Sequence, residues 1–263
     1  MLSPRLFAVA IVITGLTFSL ASQREVLAQS GKGGGIGIES LPCAYNFTSG
    51  SSFSLFKWCL TSNGNIGYIE SPEGSQHVYT EGYGVCGAVN YYDYGFAGAS
   101  GFGPPTIVSG CTTGSACTLR RDSVDGRLRL KMAFTQNKAE KEITVVHTIT
   151  NLSTQSLGVM GITRKADLDM QNSDTNDQHG SSFQSAWMNE GYARIGLTAL
   201  TLVYQGNGVS TYGTSLFGGR DLSVFPCGLP EATGDDFAIG QIYSLSKLGS
   251  QQSRSFKFQY RRD

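Results

Sequence analysis

Between Leu128 and Thr150 the chain alternates apolar and polar residues with a period of two. Leu128, Leu130, Met132 and Phe134 interleave with Arg127, Arg129, Lys131 and Ala133. Ile143, Val145, His147 and Ile149 then interleave with Thr144, Val146, Thr148 and Thr150. Successive side chains of a strand point to opposite faces, so this spacing buries one face of an antiparallel sheet and wets the other. Asp125-Gly126 opens the pair as a turn and Asn151 closes it. The pattern predicts a three-stranded meander whose third member carries Leu157, Val159, Gly161 and Thr163 toward Asp169. Strands of about ten residues run some 33 Å, so the sheet is expected to be broad.

The same habit recurs on either side. Phe53 to Leu60 reads as a strand, Ser62-Asn63-Gly64-Asn65 as a hairpin turn, and Ser71-Pro72-Glu73-Gly74 as a second turn after Ile66 to Glu70. Tyr83 to Tyr94 reads as one strand and Gly95 to Pro105 as a long loop. Tyr192 to Tyr204, Phe237 to Leu245 and Arg254 to Tyr260 read as the last strands. Only Gly219 to Phe225 and a turn near Leu245 to Gly249 leave room for helix. With 34 Gly and only 15% charged residues, a long-helix protein is excluded. With 40% hydrophobic residues, disorder is excluded too. The expected fold class is all-β: a single antiparallel β-sandwich over residues 41–263, with long loops and little helix.

Lys and Arg number 20 against 20 Asp and Glu, so no basic excess exists to hold phosphates, and no nucleic-acid partner is expected. The N-terminus reads as a secretory signal. Arg5 precedes the apolar run Leu6 to Leu20, and small residues offer cleavage after Ala21 or Ala28. Residues 1–28 are therefore assigned to the signal, and 29–40, with Gly31-Lys32-Gly33-Gly34-Gly35, to a flexible lead-in. No membrane span is expected after signal removal. The six cysteines agree with an oxidising, extracellular or periplasmic location and are read as three disulfides. Six cysteines allow 15 pairings. The favoured set is Cys111 with Cys117 across a short loop, Cys43 with Cys59, and Cys86 with Cys227 as a long-range staple.

A recurring pattern of secreted bacterial β-sandwich proteins resembles the middle of the chain. It comprises Asp125-Gly126-Arg127-Leu128-Arg129-Leu130, then Val145 to Ser153 ending in Thr150-Asn151-Leu152-Ser153, then Arg164-Lys165-Ala166-Asp167-Leu168-Asp169. These hairpins look like those of the galactose-mutarotase-like supersandwich, and the resemblance implies a supersandwich-like fold. That family works with a histidine pair and a glutamate base. Here His147 lies on the matched strands with no second histidine in register, so the resemblance implies no catalytic residue.

Three groups of residues are candidate sites. Tyr83, Tyr91, Tyr92, Tyr94 and Phe96 sit in a glycine-rich stretch where loops can present flat rings to a sugar or a partner surface, although such rings also serve as core. Asp167, Asp169, Asp174 and Asp177, with Asn172, Asn176 and Gln178, offer the oxygen ligands calcium prefers, without the spacing of the twelve-residue calcium loop. The same composition suits a solvated turn. Glu70, Glu73, Glu81 and Asp93 are carboxylates that a glycoside hydrolase could pair, a separation the sequence does not show. No G-x-S-x-G elbow is present, and oxidised cysteines offer no thiolate. The leading expectation is a secreted binding protein, for carbohydrate or an extracellular protein partner, with no chemistry and no cofactor of its own apart from calcium. The alternatives are a carbohydrate-active enzyme or sugar isomerase on the same scaffold, and a purely structural extracellular protein.

Overall fold

The computed structural model describes residues 41–95, 98–112, 114–170, 178–181, 185–190, 193–199, 209–218 and 237–263. All of them belong to one compact unit, Gly37–Asp263. In chain order the strands are β1 Tyr45–Ser49, β2 Phe56–Leu60, β3 Ile66–Glu70, β4 Thr80–Gly87, β5 Tyr91–Asp93, β6 Ala99–Ser100, β7 Thr106–Gly110, β8 Ala116–Asp122 and β9 Leu128–Asn137. They continue as β10 Glu142–Asn151, β11 Met160–Asp167, β12 Gln178–Ser181, β13 Ser185–Glu190, β14 Ala193–Ala199, β15 Val209–Gly218, β16 Phe237–Leu245 and β17 Ser253–Arg262. They form an eight-stranded sheet in the order β12-β13-β14-β17-β10-β9-β8-β7 and a six-stranded sheet in the order β15-β16-β11-β4-β5-β6. A small third sheet runs β1-β2-β3, and all pairings are antiparallel. The protein is an all-β sandwich.

The alternation read from the sequence is realised in β9 and β10. Leu128, Leu130, Met132 and Phe134 pair across to Asn151, Ile149, His147 and Val145, all buried on one face. The third strand of the expected meander goes elsewhere. β10 takes β17 as its other neighbour, and β11 crosses into the six-stranded sheet between β4 and β16. The cause lies in burial. β11 is covered on both faces from Ile162 onward, as a central strand of a covered sheet must be, whereas β17 alternates Phe256, Phe258 and Tyr260 inward.

The stretch read as one strand from Tyr83 to Tyr94 is a hairpin. Gly87 adopts φ +104°, its N–H donates to Asn90 Oδ1 at 3.3 Å, and the chain turns back as β5. Phe53, placed by the sequence in a strand, lies in a 3-10 turn at Ser52–Ser54 and is exposed. The Ser62 to Asn65 turn joins β2 to β3 as expected. The region near Leu245 to Gly249 forms a turn, and Gly219 to Phe225 lies outside the described residues.

The core fills the space between the two large sheets. Leu130, Ile143, Val145, Phe256 and Phe258 meet Val85, Ile162, Ile239 and Leu245. The small sheet adds Phe47 stacked on Trp58 at 4.1 Å, with Trp58 tilted against Phe134. Disulfides join Cys43 to Cys59 and Cys111 to Cys117, the two local pairs expected. Cys86 is disulfide-bonded, and Cys227, its expected partner, lies outside the described residues. Among the described residues no helix is long and apolar enough to cross a membrane.

Candidate functional site

The two faces of β11 carry different chemistry, because Arg164 and Lys165 are adjacent and a strand sends neighbours to opposite sides. Arg164 points into the sandwich. In register it lies between Tyr83 of β4 and Gln241 of β16. Its Nε donates to Glu81 Oε1 at 2.7 Å, and its Nη1 bonds to His147 Nε2 at 2.8 Å. Glu81 also accepts from the Tyr260 hydroxyl at 2.6 Å and from the Ile66 N–H at 2.8 Å. Burial pushes the Glu81 carboxyl up, and Arg164 and Tyr260 pull it back. With those donors aimed at its oxygens the carboxylate is the form the geometry supports. Burial drives the His147 imidazole well below its usual range, and Arg164 adds to the effect. The ring is therefore neutral and accepts at Nε2.

A second ion pair, Arg121 with Asp93, lies beside the first. Tyr83 joins them. Its hydroxyl accepts from Arg121 Nη1 at 2.9 Å and donates to the Asn63 carbonyl at 2.6 Å, while its ring lies 5.6 Å from the Arg164 guanidinium. Asn65 Nδ2 donates to the backbone carbonyls of Glu81 and Asp93, both at 3.0 Å. Glu81, Arg164, His147 and Tyr260 are at most 1% exposed. This inner cluster fixes strands of all three sheets to one another, and it meets its hydrogen-bonding needs internally.

The outer face of the six-stranded sheet is built differently. Thr163 and Lys165 face outward from β11, and their cross-strand partners on β4 are Gly84 and Gly82. Those glycines make room for Tyr94. A Cβ on Gly84 would lie 2.6 Å from Tyr94 Oη and 3.4 Å from Thr163 Cγ2, and one on Gly82 would strike the Asp93 carbonyl and the Tyr94 backbone. Tyr94 stacks on Tyr92 at 5.3 Å and 16°, and Lys165 Nζ lies 5.4 Å from the Tyr94 ring centre. Burial pulls the Lys165 amine down to about 7 and pushes the Tyr94 phenol up. Among the described residues nothing hydrogen-bonds to Thr163 Oγ1, although the residue is fully buried.

The pleat thus sorts the tyrosines that the sequence offered as candidate ligand-binding rings. Tyr83 and Tyr91 turn inward, Tyr92 and Tyr94 outward. Tyr83, Tyr91 and Tyr94 are buried and Tyr92 is half-buried, because they sit on strands β4 and β5 or directly after β5. Tyr91 donates to Asp125, and burial pushes its phenol up to about 12. Phe96 lies outside the described residues, as do Asp174 and Asp177. Asp167 and Asp169 are buried at the end of β11, Asp167 on the outer face two residues beyond Lys165. Among the described residues no three His, Cys, Asp or Glu side chains converge as a metal site would require. Sequence reasoning singled out Glu81, Asp93 and His147 but missed Arg121, Arg164, Lys165 and Thr163. The signal was present: two adjacent cations, Arg164 and Lys165, in one strand put one charge on each face.

No family model and no curated protein sequence matches the chain. Solved structures do resemble it. A bacterial glucoamylase complexed with acarbose superposes with a TM-score of 0.56 at 11% identity, over 88% of this chain and 34% of that one. This chain thus spans about a third of the glucoamylase's length. A putative aldose 1-epimerase from Escherichia coli K12 superposes with a TM-score of 0.53 at 12% identity, over 83% of this chain and 98% of that one. At such identity the likeness shows the fold alone: an antiparallel β-sandwich like the ones these two proteins contain.

Proposed function

We propose that the chain is a secreted carbohydrate-binding domain that works without chemistry of its own. The observation that carries this reading is the division of labour across β11. The groups suited to acid–base work, Glu81 and His147, spend their hydrogen bonds on Arg164 inside the core. The outer face instead gathers a stacked tyrosine pair, an amine and a hydroxyl, the mixture of ring and polar groups that sugars require. The structural likeness to a glucoamylase and a putative aldose epimerase supports a sugar ligand. The disulfides support export to an oxidising compartment.

An enzyme reading has one observation in its favour: a glutamate and a histidine meet at one guanidinium. Glycan-array binding by the purified mature protein, paired with polarimetry of glucose mutarotation, separates the two. The expected outcome is retention of a glycan with no acceleration of anomer exchange. Acceleration that Glu81→Gln abolishes would move the assignment to an enzyme. Silence on the array together with no acceleration would leave a structural extracellular protein.

A further inference from the structure

We propose that the outer face of the eight-stranded sheet, around Arg120, Arg127, Arg129 and Lys131, binds an anionic polysaccharide through its sulfate or carboxylate groups. The inference goes beyond the carbohydrate reading above, which concerns the other sheet, and does not depend on it. Its starting point is a pair of like charges. Arg120 of β8 and Lys131 of β9 are direct cross-strand partners, and the burial alternation of both strands puts their side chains on the wet face. Residues directly opposite have Cβ atoms about 4.5–5.5 Å apart, and like charges there destabilise a sheet. The β9 ladder extends back to Arg127, whose carbonyl accepts from the Leu152 N–H at 2.9 Å. Arg127, Arg129 and Lys131 therefore follow one another at every second residue, a column of cations about 14 Å long.

The acids nearby are already engaged. Asp122, opposite Arg129, accepts from its Nε at 2.7 Å and its Nη2 at 2.8 Å, and Arg120 Nε lies 3.9 Å from the same carboxylate. Asp125 accepts from Tyr91, from Ser123 and from the Arg127 N–H. Two arginines thus share one carboxylate, and Lys131 has no ion-pair or hydrogen-bond partner among the described residues. Arg127 and Lys131 are exposed, and the Arg120 and Arg129 side chains are each 38% exposed, so a ligand reaches them without any rearrangement. Hydroxyls continue the same rows on β10 and β17. Lys131 faces Thr148, which faces Ser255, and those two hydroxyls lie 2.9 Å apart. Arg129 faces Thr150 and then Ser253, with hydroxyls 2.7 Å apart. In each pair one proton is spent on the partner, which leaves the other to donate outward.

Charge complementarity selects an anion, and the rest of the face selects a sugar polymer. Sulfate and carboxylate oxygens accept charge-assisted bonds from guanidinium and ammonium groups, and sugar hydroxyls exchange bonds with the Thr and Ser pairs. The next row, Ala133 beside Val146, offers low apolar surface on which a sugar ring can rest, and Lys257 stands beyond it on β17. Among the described residues, the outward positions of β8, β9, β10 and β17 carry no aromatic side chain, so unpaired bases find no stacking platform. Val146 is the largest apolar side chain among them, too little to anchor the face in lipid. Several weak contacts spread over an open surface make binding sensitive to salt.

The test is calorimetric titration of the full mature protein with dextran sulfate, polygalacturonate and neutral dextran, at about 50 and about 500 mM NaCl. The expected result is binding of an anionic polymer and not of dextran, weakened at least tenfold at the higher salt. Binding of dextran sulfate alone, or of polygalacturonate alone, identifies sulfate or carboxylate as the group recognised. Lys131→Glu places an acid opposite Arg120, so it is expected to keep or raise the Tm while weakening polymer binding at least tenfold. Lys138→Glu, on the exposed turn after β9, makes the same change in net charge and is expected to leave binding unaltered. No anionic polymer bound at low salt, or equal weakening by the two substitutions, would overturn the proposal. Phosphatidylglycerol vesicles bound through Lys131, with neither polysaccharide retained, would overturn it too and assign the face to a membrane. Neutral glycans retained by Lys131→Glu would leave the carbohydrate reading of the other sheet standing in each of these cases. Conversely, polymer bound through Lys131 with no neutral glycan retained would remove that reading and keep this one.

Discussion

Arg164 brings a full charge into the middle of the sandwich, and its surroundings explain how it is tolerated. The guanidinium has Glu81 on one edge, His147 on another, and the rings of Tyr83, Phe134 and Tyr260 within 6.0 Å of its centre. Removing one member of such a pair leaves the other charge buried alone, which typically costs 3–5 kcal/mol. Arg164→Met is therefore expected to lose about that much in urea unfolding. Arg164→Met with Glu81→Gln is expected to lose less than the single variant, because no orphan carboxylate remains. A second consequence concerns protons. His77 is fully buried, its Nε2 lies 2.8 Å from the Ser71 carbonyl, and burial holds its pKa down at about 4. A histidine with a depressed folded pKa binds fewer protons than the unfolded chain, so its contribution is complete above pH 6.5 and is lost as pH falls toward 4. Between pH 8 and pH 5 that loss is ~2 kcal/mol, and His147 acts in the same direction. Urea melts at the two pH values should show His77→Gln with a slope flatter than wild type by that amount. An equal slope would mean His77 titrates normally. The sequence showed where His147 would face, since it occupies an apolar position of a period-two pattern. It could not show the partner, because Arg164 arrives from another sheet.

Strand β4 shows how an element can be legible in place and illegible in purpose. Its run Gly82-Tyr83-Gly84-Val85 reads as a strand with a weakened face, since glycine in a strand interior offers nothing to pack. The structure gives the reason: the missing side chains are replaced by Tyr94, returning along the neighbouring hairpin. Gly82→Ala would drive a methyl into the backbone at Asp93 and Tyr94, where no rotamer change relieves it. Overpacking of this kind typically costs about 1–3 kcal/mol. The variant is expected to lose that much in thermal or urea unfolding and to lose sugar binding with it. An unchanged stability would show that β5 moves freely against β4. The hairpin was itself hidden in the sequence, because Val85 to Asn90 carries no strong turn dipeptide beyond Gly87-Ala88. Likewise β9 and β10 were legible because each has one wet face. β11, covered on both, had no alternation to reveal its sheet.

At the scale of the whole molecule the order of strands matters more than their number. β17, the last in sequence, is central in the eight-stranded sheet. It pairs with β10 from Ser253↔Thr150 to Arg261↔Glu142, and with β14 from Phe258↔Ala199 to Arg262↔Ile195. Its inward residues Phe256, Phe258 and Tyr260 are fully buried, and the Tyr260 hydroxyl completes the shell of Glu81. Local pattern identifies such a strand but not its neighbours, since pairing over a hundred residues apart leaves no trace in spacing. Contacts of that range are slow to form, because loop closure must precede the packing that rewards it. The sheet therefore has no complete core until residues 253–262 are in place. Deleting them would expose the edge of β10, remove three core aromatics and strip one donor from a buried carboxylate. Three core aromatics at about 3–5 kcal/mol each, together with the lost donor, add up to the size that unfolds a domain with a net stability of about 5–15 kcal/mol. The truncated chain is expected to lack cooperative thermal unfolding and near-ultraviolet circular dichroism. A soluble truncation with a sharp transition would mean that β10 and β14 can close the sheet without β17.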